Sequence, residues 1–165
     1  LIRASATSVD DPVRSIREAN RHIFADSKTS MFVTLFYAVL DCKEKSLMFV
    51  NAGHNPPLYL GAGTSNVRLL NADGIALGVL DEIELKAVSI PLHSGDVVVL
   101  YTDGVTEATN EKDEEYGIER LMQCVEDAKS HSSQAIIDAI VHEVVAFAGT
   151  HPQHDDITVM VLKVL

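Results

Sequence analysis

A chain of 165 residues with 13 Lys and Arg against 24 Asp and Glu carries a formal charge of −11, which repels a nucleic-acid backbone unless a basic stripe opposes it, and the sequence has no such stripe. Its 47% hydrophobic residues fit one globular domain over residues 1–165 that is long enough to bury a core. No apolar run approaches the roughly 20 residues that span a bilayer and no leader pattern opens the sequence, so neither nucleic acid nor a membrane is expected as a partner and the cytoplasm is the expected location.

Asp10, Asp11 and Pro12, followed by Val13, Ile16, Ala19, Ile23 and Phe24, supply helix-start chemistry and then apolar residues at helical spacing, which predicts a first helix. The run MFVTLFYAVL at 31–40 is rich in β-branched and aromatic residues, and 47–50 repeats that character after the polar stretch 41–46; together they predict an antiparallel hairpin. Asn55, Pro56 and Pro57 form a turn into a short strand at 58–60, and 61–66 is a loop of small and polar residues. Further strands are expected at 67–70, 83–90 and 96–101, and VVVLY at 97–101 is apolar enough to be buried on both faces and therefore central. Beyond Gly117 the period becomes helical through Ile118, Leu121, Met122 and Val125, and again over 132–147, with Ser132 or Ser133 as the cap. Alternation at 157–164 predicts a last strand. Many antiparallel strands without a regular βαβ alternation argue for an α+β fold.

Two acidic positions lie where a strongly apolar strand meets a loop: Asp103 in YTDGVTEA and Asp155 in HDDITVMVL. A carboxylate at a strand end is held on a rigid element yet faces solvent, which suits hard cations such as Mg²⁺ and Mn²⁺. If the two strands are antiparallel neighbours, both carboxylates fall on one edge. The plainer reading is that Asp103-Gly104 is a turn dipeptide and Asp155-Asp156 a strand entry, and from spacing alone it is the favoured one.

Other candidates carry less. His151 and His154 are spaced H-x-x-H, but Pro152 places them in a loop with no third ligand, which argues against zinc. The acidic run at 111–115 fails the calcium-loop spacing and reads as a solvated, mobile segment, and Gly61-Ala62-Gly63 has no following lysine and reads as a hairpin loop. His22, His93, His131 and His142 have no motif context. Cys42 and Cys124 lack CxxC spacing, so neither a disulfide scaffold nor a thiolate zinc site is indicated, and both are expected to be reduced and structural.

Taken together, MFVTLFYAVLD at 31–41, NAGHNPPLYL at 51–60, ALGV at 76–79, GDVVVLYTDGVTEATN at 95–110, YGIERL at 116–121 and HPQHDDITVMVLKV at 151–164 occur in the order of one family. The chain resembles the bacterial SpoIIE and RsbU type phosphatases, a branch of the metal-dependent PP2C-like (PPM) superfamily, over nearly its whole length from Thr29 onward. The resemblance implies an α+β, PP2C-like four-layer αββα sandwich of two antiparallel sheets flanked by helices, with Mn²⁺ or Mg²⁺ bound as a pair at one edge. It places Asp103 and Asp155 among the catalytic metal ligands, with Gly104 and Asp156 in the same metal set. His54 and Asn51 of NAGHNP are expected to organise a tight loop near that edge by hydrogen bonds rather than to bind metal.

One departure accompanies these agreements. The family's domain opens with an acidic metal-binding residue and an Asp-Gly segment, commonly GDVSGKG, whose aspartate bridges the two metals, and residues 1–30 match only the helical stretch that follows it. The resemblance thus implies a domain incomplete at its N-terminus, holding at most one weakly bound ion and showing little or no activity alone. The expected reaction of the parent protein is hydrolysis of phosphoserine or phosphothreonine on a partner protein, of which a STAS-type anti-sigma-factor antagonist is the family's usual example. The alternative is a catalytically incomplete regulatory module that binds phosphoproteins. A homodimer through exposed sheet edges is compatible with either.

Overall fold

The computed structural model describes residues 11–26, 31–64, 66–153 and 155–165; Asp10 and His154 lie outside them. In chain order the described residues form α1 (Pro12–Asp26), β1 (Leu35–Asp41), β2 (Ser46–Ala52), β3 (Leu58–Leu60), β4 (Val67–Leu69), β5 (Val88–Pro91), β6 (Val97–Tyr101), α2 (Asp103–Thr106), α3 (Gly117–Ala128), α4 (Ser133–Ala148) and β7 (Val159–Lys163). They fall into two compact units, one running to Pro56 and resuming over Asn71–Leu92, the other made of Pro57–Leu70 and His93–Leu165. Each contains one antiparallel sheet, so the fold is α+β as its sequence predicts.

In the first unit the Asp11 carboxylate accepts the Arg14 N–H at 3.0 Å, which caps a helix whose Ile16, Ala19 and Asn20 are buried on one stripe. Burying an asparagine requires that its amide be satisfied. Asn20 donates to the carbonyls of Leu80 at 2.9 Å and Asp81 at 2.8 Å, and accepts the Gly78 N–H at 2.8 Å, fastening the segment that follows ALGV onto α1. The sheet has the order β1-β2-β5, with Leu35 facing Ala52 and Asp41 facing Ser46 across the predicted hairpin. The Asp41 carboxylate closes that turn by accepting the N–H groups of Lys43 and Glu44 at 2.8 and 2.9 Å.

Two predicted strands are shorter than the sequence suggests. The ladder begins at Leu35 rather than at 31, because Val33 exchanges its backbone bonds with Leu77 instead, at 2.9 and 2.8 Å, and leaves Met31 and Phe32 largely exposed. The strand expected over 83–90 is paired only from Val88. Ile83 and Leu85 are buried with Ile16, Val50 and Leu77, so their alternation reports a loop threaded through a core, which period alone does not distinguish from a strand.

In the second unit the order is β4-β3-β6-β7, and β6 is interior. Val97, Val98 and Val99 are at most 1% exposed, which agrees with the unbroken apolar run read as a central strand. Leu121, Val125, Ile136 and Ile140 of α3 and α4 share a core with Val97 and Val99; each such side chain contributes roughly 1.5–3 kcal/mol by leaving water. The Ser132 hydroxyl accepts the Ala135 N–H at 3.2 Å and starts α4, as expected of a cap. Cys124 is part of this core, whereas Cys42 is exposed, so the expectation that both cysteines are structural holds for one of them.

Candidate metal centre

The pairing of β6 with β7 is antiparallel and closes at Tyr101 opposite Val159. The end of one strand and the beginning of the other therefore emerge at the same edge. Thr102 prolongs the junction: its N–H donates to the Thr158 carbonyl at 3.1 Å, its hydroxyl donates to the Asp156 carbonyl at 2.9 Å, and the same oxygen accepts the Thr158 N–H at 3.0 Å. Asp103 follows at once, opening α2, and Asp155 and Asp156 precede β7 on the adjoining segment. The condition that the sequence left open, antiparallel neighbouring strands, is met.

Gly104 shows how closely the two segments approach. A Cβ placed there lies 2.5 Å from the Asp156 carbonyl oxygen, closer than a side chain tolerates against backbone, and 3.1 Å from that of Asp155. The glycine is required by this contact and sits inside a helical turn, so the turn-dipeptide reading of Asp103-Gly104 does not describe it. The Asp103 carboxylate accepts the Gly104 N–H at 3.1 Å and that of Asp155 accepts the Asp156 N–H at 2.7 Å. Gln153 donates to the Asp155 carbonyl at 2.6 Å. Each carboxylate is oriented by its own backbone yet stays exposed, as does Asp156.

Exposed carboxylates beside backbone carbonyls are hard oxygen donors, and they fit a Mg²⁺ or Mn²⁺ ion that keeps several waters. Among the described residues no Lys, Arg or His forms an ion pair with Asp103, Asp155 or Asp156. Among the same residues no group of three or more His, Cys, Asp or Glu is placed to hold a metal.

NAGHNP is organised in the way its sequence suggests. The Asn51 side chain donates to the His54 carbonyl and accepts the His54 N–H, both at 2.8 Å, and His54 Nδ1 lies 3.2 Å from the Thr34 hydroxyl. Gly53 has φ +73° and packs so closely that a Cβ would meet the Ala76 nitrogen at 2.6 Å. The run at 111–115 is exposed but tethered: Asn110 accepts the N–H groups of Lys112 and Glu114, and Thr150 donates to Glu111 at 2.7 Å. Cys124 is no nucleophile, because burial and then the nearby Glu143 push its thiol up to about 12. Sequence reasoning missed Thr102, although its place between the apolar run VVVLY and Asp-Gly is a usable signal for a strand-end clasp.

The family model for stage II sporulation protein E (SpoIIE) matches residues 1–165. Phosphoserine phosphatase RsbU of Bacillus subtilis is 29% identical over 154 residues, covering 92% of this chain and 45% of RsbU. The chain spans less than half the length of the curated relatives it matches. Among solved structures, the SiaA-PP2C domain of Pseudomonas aeruginosa superposes with a TM-score of 0.84 at 22% identity, covering 98% of this chain and 65% of that domain. The Mn-presoaked phosphatase domain of SpoIIE from Bacillus subtilis gives 0.67 at 22% identity, covering 99% and 71% respectively. The structural likenesses are likenesses of fold.

Proposed function

Because the chain belongs to the SpoIIE family, we propose that it is a metal-dependent protein serine/threonine phosphatase domain that uses Mn²⁺ or Mg²⁺ to hydrolyse phosphoserine or phosphothreonine on a partner protein in the cytoplasm. The observation that carries this reading is the clasp of the β6 end to the β7 start, which brings the Asp103 and Asp155 segments into backbone contact. Its chemistry follows from the donor set. A divalent cation at such a site supplies positive charge to the phosphoryl oxygens and acidifies coordinated water. Asp103 and Asp155 would hold it, with Asp156 and the Gly104 backbone beside them, while Thr102 and Gln153 donate to the Asp156 and Asp155 carbonyls and so fix the backbone of that segment. Direct attack by water, without a covalent phosphoenzyme, is the proposed route, as for the phosphatases that the sequence resembles.

A STAS-type anti-sigma-factor antagonist is the proposed class of phosphoprotein, as for the phosphatases that the sequence resembles. A second reading, a phosphoprotein-binding module without turnover, is favoured by the lack of any three-residue ligand group among the described residues. Phosphate release from a phosphoserine protein in Mn²⁺, by the chain extended at its N-terminus with the family's Asp-Gly segment, separates them. The phosphatase reading expects release that Asp103→Asn or Asp155→Asn each reduces by roughly 100-fold or more, a loss comparable to removing one charge-stabilising group from an active site. Undiminished release in both variants contradicts the site. Binding of the phosphoprotein with no release under any metal condition favours the module.

A further inference from the structure

Beside the candidate metal centre, and wholly within the second unit, lies a cleft of about 190 Å³. Gly104 and Asp155, both members of the proposed metal set, line it together with Ala108, Thr109, Val145 and Ala148. That volume is well below the ~300–1,000 Å³ of sites that enclose a small molecule. It suits a single side chain.

Two observations say what kind. The walls are mostly apolar, and Val145 keeps 58% of its surface in water at the lip of α4. Glu107 and Asp155 put negative charge at the rim, and the whole chain carries −11, so an acidic flank is repelled where an apolar one is not.

We infer that this cleft receives an aliphatic side chain flanking the phosphorylated residue of the substrate protein, and so sets which phosphoserines are accepted. The inference rests on the phosphatase reading for the position of the phosphoryl group, since a residue bound at Asp103 and Asp155 has its neighbours at the cleft mouth. Apolar anchoring beside a charged reaction centre is a common division of labour between specificity and chemistry.

The test is fluorescence anisotropy of labelled phosphoserine peptides with the protein in Mn²⁺, comparing Leu, Ala and Glu at the positions flanking the phosphoserine. The wild type is expected to bind the best Leu peptide about tenfold or more tightly than its Ala counterpart, with the Glu peptide weaker still. Val145→Asp, at an exposed position that accommodates charge, is expected to equalise Leu and Ala. Ala148→Leu, which fills the cleft without adding charge, is expected to do the same. Equal binding of Leu and Ala peptides to the wild type, or a Leu preference that survives both substitutions, overturns the inference. Because binding is read separately from turnover, a Leu preference without phosphate release supports the cleft and counts against the phosphatase reading. Release without any flank preference does the reverse.

Discussion

Asp96 shows how one buried charge organises the approach to the central strand. It is 2% exposed, and burial alone would raise its pKa, but the N–H groups of His93 and Ala62 and the Tyr59 hydroxyl together outweigh that and hold the carboxyl below its ordinary value of 3.8. The donors lie at 2.8, 2.9 and 2.7 Å. A carboxylate whose folded pKa is depressed adds stability that is present above the unfolded pKa and lost as pH falls through the folded one. Asp96→Asn replaces an acceptor oxygen by a donor and leaves at least one N–H or O–H unmet, at about 2–3 kcal/mol. Urea unfolding is expected to show that difference in full at pH 7 and to show it shrinking below pH 3.8 as the wild type is protonated. A difference independent of pH contradicts the assignment.

The junction of β6, α2 and β7 depends on backbone approach more than on side-chain volume. At Gly104 a methyl group would meet the Asp156 carbonyl at 2.5 Å, so Gly104→Ala must push the two acidic segments apart. The expected result is a loss of about 1–3 kcal/mol in stability, typical of overpacking, together with weaker Mn²⁺ binding measured by calorimetry. Unchanged affinity would mean that the contact does not set the ligand geometry. The two strands of this junction were legible because an apolar strand ending in Thr-Asp-Gly and an Asp-Asp strand entry are local words, and β6 reads as central from the unbroken apolar run VVVLY; that the two ends meet was legible only as a condition. The cleft was not legible, because its walls come from segments around 104–109, 144–149 and 151–157 that share no period. Residues 83–87 misled for a related reason: Ile83 and Leu85 alternate because a core receives them, not because a ladder pairs them.

Across the whole chain, the charge of −11 disfavours phosphoryl substrates unless cations offset it locally, so the carboxylates at the β6–β7 edge make sense as a metal-dependent centre and poorly as a bare anion site. The chain belongs to the SpoIIE family and shares the fold of the solved SpoIIE phosphatase domain. The sequence disclosed the α+β class through its strand pattern, and it singled out Asp103 and Asp155 as candidates through the motifs of the family it resembles. It did not disclose the Thr102 clasp that joins them, which depends on register between strands about 60 residues apart in the chain. The most direct test is a double-mutant cycle on Mn²⁺ binding, read from the electron paramagnetic resonance signal of the free ion, for the wild type, Asp103→Asn, Asp155→Asn and the double variant. Two ligands of one ion predict that each single change weakens binding about tenfold or more and that the double change costs clearly less than the sum. Losses that add in full, or single variants that bind as the wild type does, would contradict a shared site.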